Sequence, residues 1–253
     1  MPITYRNTLF LFLLVVVVCA GSCRPQTQRD LSPNNSKERI PQPTPIFYPQ
    51  TQGPFPAILL LPQAVHDISG ENAIARNLAA EGYVARAVDY GDIKFIGIFN
   101  DAARMSSPKQ LVSESLASLR SQPSVDPNRI GLVGYSLGGF FVTYLASKSN
   151  DTGLKAGVIY YGTYNAPDLG KNLRVPILAF QGDADQMTSF IHNAAAMKQI
   201  AIDYKKKLDI VLYQRARHGF DRMPKGPYGK MIATDSWTRM IAFMNEHVKR
   251  AHP

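Results

Sequence analysis

Arg129-Ile130-Gly131-Leu132-Val133-Gly134-Tyr135-Ser136-Leu137-Gly138 is the stretch on which the fold turns. Arg129–Val133 reads as a short buried strand, and Leu137–Ala146 reads as a helix. Between them the chain has room only for a very tight turn, with Ser136 at its tip and a glycine two residues away on either side. A turn that sharp strains the backbone of the serine and lifts its hydroxyl clear of the sheet. The flanking glycines are needed because a side chain at either place would strike the neighbouring strand or helix. The helix start also sets the Leu137 N–H beside any negative charge that develops at the serine.

Outward from this turn, apolar runs alternate with helical spacings. The predicted strands are Ala57–Leu61, Tyr83–Val88, Arg129–Val133, Ala156–Tyr160, Pro176–Phe180 and Leu208–Tyr213. Ala57-Ile58-Leu59-Leu60-Leu61 is apolar without a break, as a strand buried on both faces requires. The predicted helices are Glu71–Glu81 (closed by Gly82), Leu111–Leu119, Leu137–Ala146, Phe190–Lys205 and Ser236–Val248. Tyr90 to Met105 is expected to be a loop, Pro123–Asn128 a turn, and Ile46-Phe47-Tyr48 an edge strand. Strand and helix in alternation predict an α/β class protein with a mostly parallel central sheet and helices on both faces. In such sheets chemistry gathers in the loops at the carboxyl ends of the strands.

A serine hydroxyl needs a base to become a nucleophile. Of the five histidines, His66 precedes the serine, His192 falls inside a predicted helix, and His247 and His252 lie at the end of the chain. His218, in Arg217-His218-Gly219-Phe220 after the last predicted strand, is the candidate base. An acid to orient it should lie in the loop Gln181-Gly182-Asp183-Ala184-Asp185. Both aspartates qualify. Asp185 stands far enough out to turn back toward the histidine, while Asp183 could hold the turn through backbone hydrogen bonds. The second oxyanion donor is expected in Pro62-Gln63-Ala64-Val65, with the Ala64 N–H as the candidate beside that of Leu137. Pro62 has no N–H to give.

Four stretches of the chain resemble the dienelactone hydrolase family of the α/β-hydrolase fold. They are Pro56–Pro62, Leu78–Ala85, Val125–Gly131 leading into the serine motif, and Arg217–Arg222. The resemblance spans the body from about residue 55 to 250 and implies an α/β-hydrolase fold. It maps the family's Gly-x-x-Asp loop so that Asp185 becomes the acid and Asp183 stays outside. It implies a serine esterase that acts on small carboxylic esters, thioesters or lactones through an acyl-enzyme, without metal or organic cofactor. Two departures stand out. Ser136 occupies the place where the named enzymes of that family carry cysteine, and Pro62-Gln63 replaces a frequent His-Glu or Gln-Glu pair. The Asp-Pro-x-Arg-Ile-Gly lead-in and His-Gly-Phe also occur in prolyl-oligopeptidase-type peptidases, so a small-peptide or amide hydrolase is the alternative within enzymes. A non-catalytic envelope binding protein on the same scaffold is the alternative outside them.

Composition fits this reading. The 253 residues are 45% apolar and 19% charged, enough for one substantial core. The net charge of +9 is scattered, and the run Lys205-Lys206-Lys207 falls where a helix ends, so nucleic acid is not an expected partner. Both cysteines, Cys19 and Cys23, lie at the amino-terminal end, leaving the body without a disulfide or a thiolate site. Leu9–Ala20 is an apolar segment of export-signal length, shorter than the roughly 20 residues of a membrane span. Residues 1–23 are therefore expected to be a signal, cut after Ala20 or lipidated at Cys23 within Ala20-Gly21-Ser22-Cys23. The expected address is periplasmic or extracellular, with a membrane tether if Cys23 carries lipid. Residues 24–53, rich in Pro, Gln, Ser and Asn, are the expected linker, and 54–253 the catalytic domain. The pocket is expected to be shaped by Tyr90–Met105, Tyr161–Lys171 and Arg222–Lys230, with Phe95, Phe99, Tyr135 and Tyr164 as candidate lining.

Overall fold

Alternate residues of the apolar run after Pro56 enter two separate apolar layers: Leu59 and Leu61 one, Ile58 and Leu60 the other. The two-residue period of a strand buried on both faces makes this so. A computed structural model of the chain describes residues 41–64, 67–91, 102–148, 153–162, 170–187 and 190–250, with the side chains of 102–104 and 190–194 excepted. The expected signal, Cys23, most of the linker, His66, Phe95, Phe99, Tyr164, His252 and the side chain of His192 lie outside the described residues.

The described elements run β1 (Ile46–Phe47), β2 (Phe55–Leu61), α1 (Ser69–Ala80), β3 (Val84–Ala87), α2 (Ala102–Arg120), β4 (Val125–Tyr135) and α3 (Leu137–Lys148). They continue with β5 (Leu154–Tyr160), β6 (Ile177–Gly182), α4 (Phe190–Asp203), β7 (Leu208–Tyr213) and α5 (Gly226–Met244), which ends in a π-turn over Asn245–Lys249. Seven strands form one sheet in the order β1-β3-β2-β4-β5-β6-β7. Only β1 is antiparallel; it pairs with β3 at the sheet's edge. All other pairs are parallel. One layer takes Val112, Leu119, Leu137, Phe141 and Met197 from α2, α3 and α4. The other takes Ala75, Leu78, Ile232, Met240 and Met244 from α1 and α5. Helices thus cover both faces of a mostly parallel sheet, as the alternation of strand and helix predicts.

Three boundaries differ from the sequence reading. The expected turn Pro123–Asn128 is partly strand: β4 starts at Val125, opposite Phe55, and its register shifts before Ile130 meets Ala57. The turn chemistry is real but is folded into the strand as an irregularity. The Asp126 carboxylate accepts from the Asn128 N–H at 2.9 Å and from Arg129 Nε at 2.7 Å. Helix α2 begins at Ala102, inside the expected loop, and runs through Pro108. Burial of Met105, Val112, Leu116 and Leu119 along one face outweighs the proline's missing donor. The last helix starts ten residues early, at Gly226, with a proline in its first turn, so half of the expected Arg222–Lys230 loop is helical.

Candidate active site

Strand β4 ends at Tyr135 and helix α3 begins at Leu137, so Ser136 alone makes the turn. Its φ of +52° lies in the left-handed region that a side chain ordinarily avoids, at a cost of about 1–3 kcal/mol. The surroundings impose it. The Ser136 N–H donates to the Tyr160 carbonyl on β5 at 2.9 Å, and the Gly139 N–H returns to the Ser136 carbonyl at 2.9 Å. A Cβ on Gly134 would stand 2.3 Å from the Gly138 carbonyl oxygen, and one on Gly138 would stand 1.8 Å from that of Leu61. Neither position tolerates a side chain, because backbone cannot yield as a flexible side chain can.

The other two groups arrive from neighbouring strands. The loop after β7 carries His218, whose Nε2 lies 3.0 Å from Ser136 Oγ. Its Nδ1 lies 2.9 Å from Asp185 Oδ2, on the loop after β6. A carboxylate at Nδ1 holds the proton there and leaves Nε2 as an acceptor for the serine hydroxyl. The Asp185 side chain is fully buried, and its oxygens are held in place. Gln181 Nε2 donates to Oδ2 at 3.1 Å, and the Met187 N–H donates to Oδ1 at 2.9 Å. The Tyr161 ring packs against the imidazole with centroids 4.7 Å apart.

Asp183 does something different from its neighbour. Its carboxylate accepts from the Arg215 N–H on the histidine's own loop. Backbone bonds from Asp183 N to the Tyr213 carbonyl and from Ala184 N to the Ala216 carbonyl, both 3.1 Å, draw the two loops together. A Cβ on Gly182 would be 2.1 Å from the Ala216 carbonyl, so this approach also requires a glycine. Of the expected oxyanion donors, Leu137 is the fully buried first residue of α3. Half-buried Ala64 packs against the apolar layer that includes Leu137. The segment Leu61–Pro62 touches the same turn through Gly138. Among the described residues, no group of three or more His, Cys, Asp or Glu side chains could share a metal ion.

Sequence reasoning missed a second polar cluster beside the elbow. Arg222 Nη2 donates to Glu71 Oε1 at 2.8 Å, its Nε lies 3.6 Å from Asp221 Oδ2, and its guanidinium covers the Tyr135 ring at 4.1 Å. Burial pushes the Glu71 carboxyl up, with the Arg222 charge opposing it; burial likewise raises Asp221. Burial pulls Arg222 down, but the facing Tyr135, Tyr161, Glu71 and Asp221 outweigh it and hold the guanidinium charged. Arg222 closes the stretch Arg217–Arg222 that carries part of the family resemblance. Glu71 stands 151 residues away, and no local pattern could pair the two.

Comparison with known proteins gives a consistent picture. A family model described as "Dienelactone hydrolase family" matches residues 43–248. A Methylorubrum extorquens protein, provisionally named carboxymethylenebutenolidase, is 28% identical over 222 residues, covering 79% of this chain and 75% of its own. A solved structure provisionally named a dienelactone hydrolase, from Klebsiella pneumoniae, superposes with a TM-score of 0.67 at 21% identity. It covers 80% of this chain and 93% of its own. The Pyrococcus horikoshii acylaminoacyl peptidase superposes at 0.66 and 15% identity over 85% of this chain but 42% of its own. These two structures share the fold.

Proposed function

Because the chain belongs to the dienelactone hydrolase family of α/β-hydrolases, we propose that it cleaves small carboxylic esters, thioesters or lactones through an acyl-enzyme on Ser136. His218 Nε2 takes the hydroxyl proton as Ser136 Oγ attacks the carbonyl carbon. The Leu137 and Ala64 amides hold the oxyanion, and the imidazolium hands its proton to the leaving alcohol, thiol or lactone oxygen. Water then attacks the acyl-enzyme, with His218 again as base, and releases the acid. Asp185 stays ionised throughout and stabilises the imidazolium.

One observation carries this reading: the unbroken row from Ser136 Oγ to His218 Nε2 at 3.0 Å and from Nδ1 to Asp185 Oδ2 at 2.9 Å. It joins groups from three strand ends at the place where α/β sheets do their chemistry. Initial rates with 4-nitrophenyl esters test it. The wild type should hydrolyse them, and Ser136→Ala should lose at least about 10⁴-fold in kcat. Equal rates in the two proteins would refute the assignment.

We further propose export, directed by the apolar segment Leu9–Ala20, with the protein left free or tethered through Cys23. The mass of the mature amino terminus decides this. A start at Gly21 means free release, and a lipidated Cys23 means a tether. A mature chain that keeps Met1 would contradict export.

A further inference from the structure

The end of the loop after β7 and the first turns of α5 read Met223-Pro224-Lys225-Gly226-Pro227-Tyr228-Gly229-Lys230-Met231. Every residue of this run except Gly229 is exposed. Met223 and Met231 show 74% and 57% of their surface and Tyr228 37%, whereas Met105, Met197, Met240 and Met244 are buried. A single exposed apolar side chain is ordinary on a folded protein, but a connected set is not. These are connected. A Cβ on Gly229 would stand 3.1 Å from the Pro224 carbonyl carbon, so the run folds back on itself. The Tyr228 hydroxyl donates to the Gln214 carbonyl at 2.7 Å, and the Arg215 guanidinium lies over the Tyr228 ring at 5.6 Å. Met231 follows Tyr228 by three residues on α5, which puts both on one side of the helix.

Charge in the same stretch of chain is one-sided. Arg215, Arg217, Lys225 and Lys230 are all exposed, and none of them forms a salt bridge among the described residues. Asp183 is the one exposed carboxylate among the described residues of the loops after β6 and β7, and it takes the Arg215 backbone N–H. Helix α5 starts from Lys225 with no acidic residue in its first turn, although a helix dipole favours negative charge at that end. Folding gains nothing from either feature: the cations sit at the unfavourable end of the dipole, and the methionines bury nothing.

We infer that this face docks on an anionic lipid surface. Apolar side chains with nothing in the protein to meet, rimmed by unpaired Lys and Arg, suit the boundary between headgroups and acyl chains. Met223 and Met231 enter that boundary, the Tyr228 ring lies at it, and the long cationic stems reach back to the lipid phosphates. A second copy of the chain is a poorer fit, because it would set four cations against four. Nucleic acid would meet the cations and leave the methionines bare. His218 precedes Met223 by only five residues, so docking turns the histidine's loop toward the lipid. Docking itself does not depend on which side chain is the nucleophile.

Hydroxyl-radical footprinting of the full chain tests this, because it reads the patch itself however the amino terminus is attached. On vesicles of equal parts phosphatidylglycerol and phosphatidylcholine at low salt, oxidation of Met223 and Met231 should slow at least about fivefold. Exposed Tyr48, bonded to Gln122 ahead of β4 at the other end of the sheet, should stay as reactive as in buffer. Vesicles of phosphatidylcholine alone should protect the two methionines less than about twofold. Each cation near an anionic leaflet is worth about fivefold in binding, so Lys225→Glu combined with Lys230→Glu should abolish the protection, and high ionic strength should do the same. The lipid and salt arms need no variant to fold. Methionines as reactive on anionic vesicles as in buffer, equal protection on both kinds of vesicle, or protection that survives salt or the double charge reversal would each overturn the proposal. Protection without vesicles that grows with protein concentration would also overturn it, in favour of a second copy.

Discussion

Two polar networks flank the same elbow, and they are built on opposite rules. In the row Ser136–His218–Asp185, each Asp185 oxygen has a donor and both imidazole nitrogens are engaged. In the cluster Glu71–Arg222–Asp221, one contact is a close hydrogen bond, Arg222 Nη2 to Glu71 at 2.8 Å, while Arg222 Nε stands 3.6 Å from Asp221 Oδ2, beyond hydrogen-bond length. A fully satisfied network holds one geometry, which is what moving a proton along a fixed line needs. The contrast fits the proposed chemistry to the first network, whose geometry is fixed at every atom.

The largest expected effect comes from breaking the row while keeping its shape. Asp185→Asn puts an amide where the carboxylate holds Nδ1–H, favouring the wrong tautomer of His218. Ester kcat should fall about 10²–10⁴-fold with the melting temperature nearly unchanged. A loss below threefold would mean the two networks are not so different. Gly138→Ala comes next, but in stability. Its Cβ would overlap the Leu61 carbonyl, and the chain should melt at least about 8 °C lower by calorimetry, or fail to fold. A normal melting temperature would show that the elbow is slacker than its contacts imply.

Asp183 separates the two aspartates of one loop. Removing its contact with the Arg215 N–H loosens the histidine's loop without touching the imidazole. Asp183→Ala should therefore cost about 3–10-fold in kcat and leave nucleophile labelling at Ser136 intact. A loss as large as that of Asp185→Asn would reverse the division of labour. The smallest effect belongs to Asp235 on α5, which bonds only Tyr213 and Arg239 and is a member of neither network. Hydrogen bonds from Arg239 and the Tyr213 hydroxyl hold its carboxyl below the usual range. Its contribution is therefore complete above the ordinary aspartate range and disappears as pH falls through the lowered value. Because the group is over a third exposed, solvent screens it. Asp235→Asn should lower the melting temperature by about 1–3 °C at neutral pH and by nothing measurable near pH 2. A difference that persists in acid would deny the electrostatic origin.

What could be read from the amino acids alone divides along the same line. The row is written in local signals: a glycine-framed serine between a strand and a helix, and a histidine in the last loop. The choice between Asp183 and Asp185 was harder, because both sit in one five-residue loop and differ only in which way the backbone turns them. The structure sends one to the imidazole and the other to Arg215. Boundaries slipped where local chemistry and tertiary burial disagree. Asp126-Pro127-Asn128 has every mark of a turn, yet it lies inside β4. Pro108 argues against a helix, yet it lies inside α2. The second network was illegible for a simpler reason: Glu71 and Arg222 meet only because α1 and the loop after β7 approach the same end of the sheet.

Covalent labelling with a fluorophosphonate, followed by peptide mass mapping, tests the central claim most directly. The account predicts one adduct per chain, carried by Ser136, absent from Ser136→Ala and formed at least about 10³-fold more slowly in His218→Ala. An adduct on another residue, or labelling of His218→Ala at the wild-type rate, would contradict it.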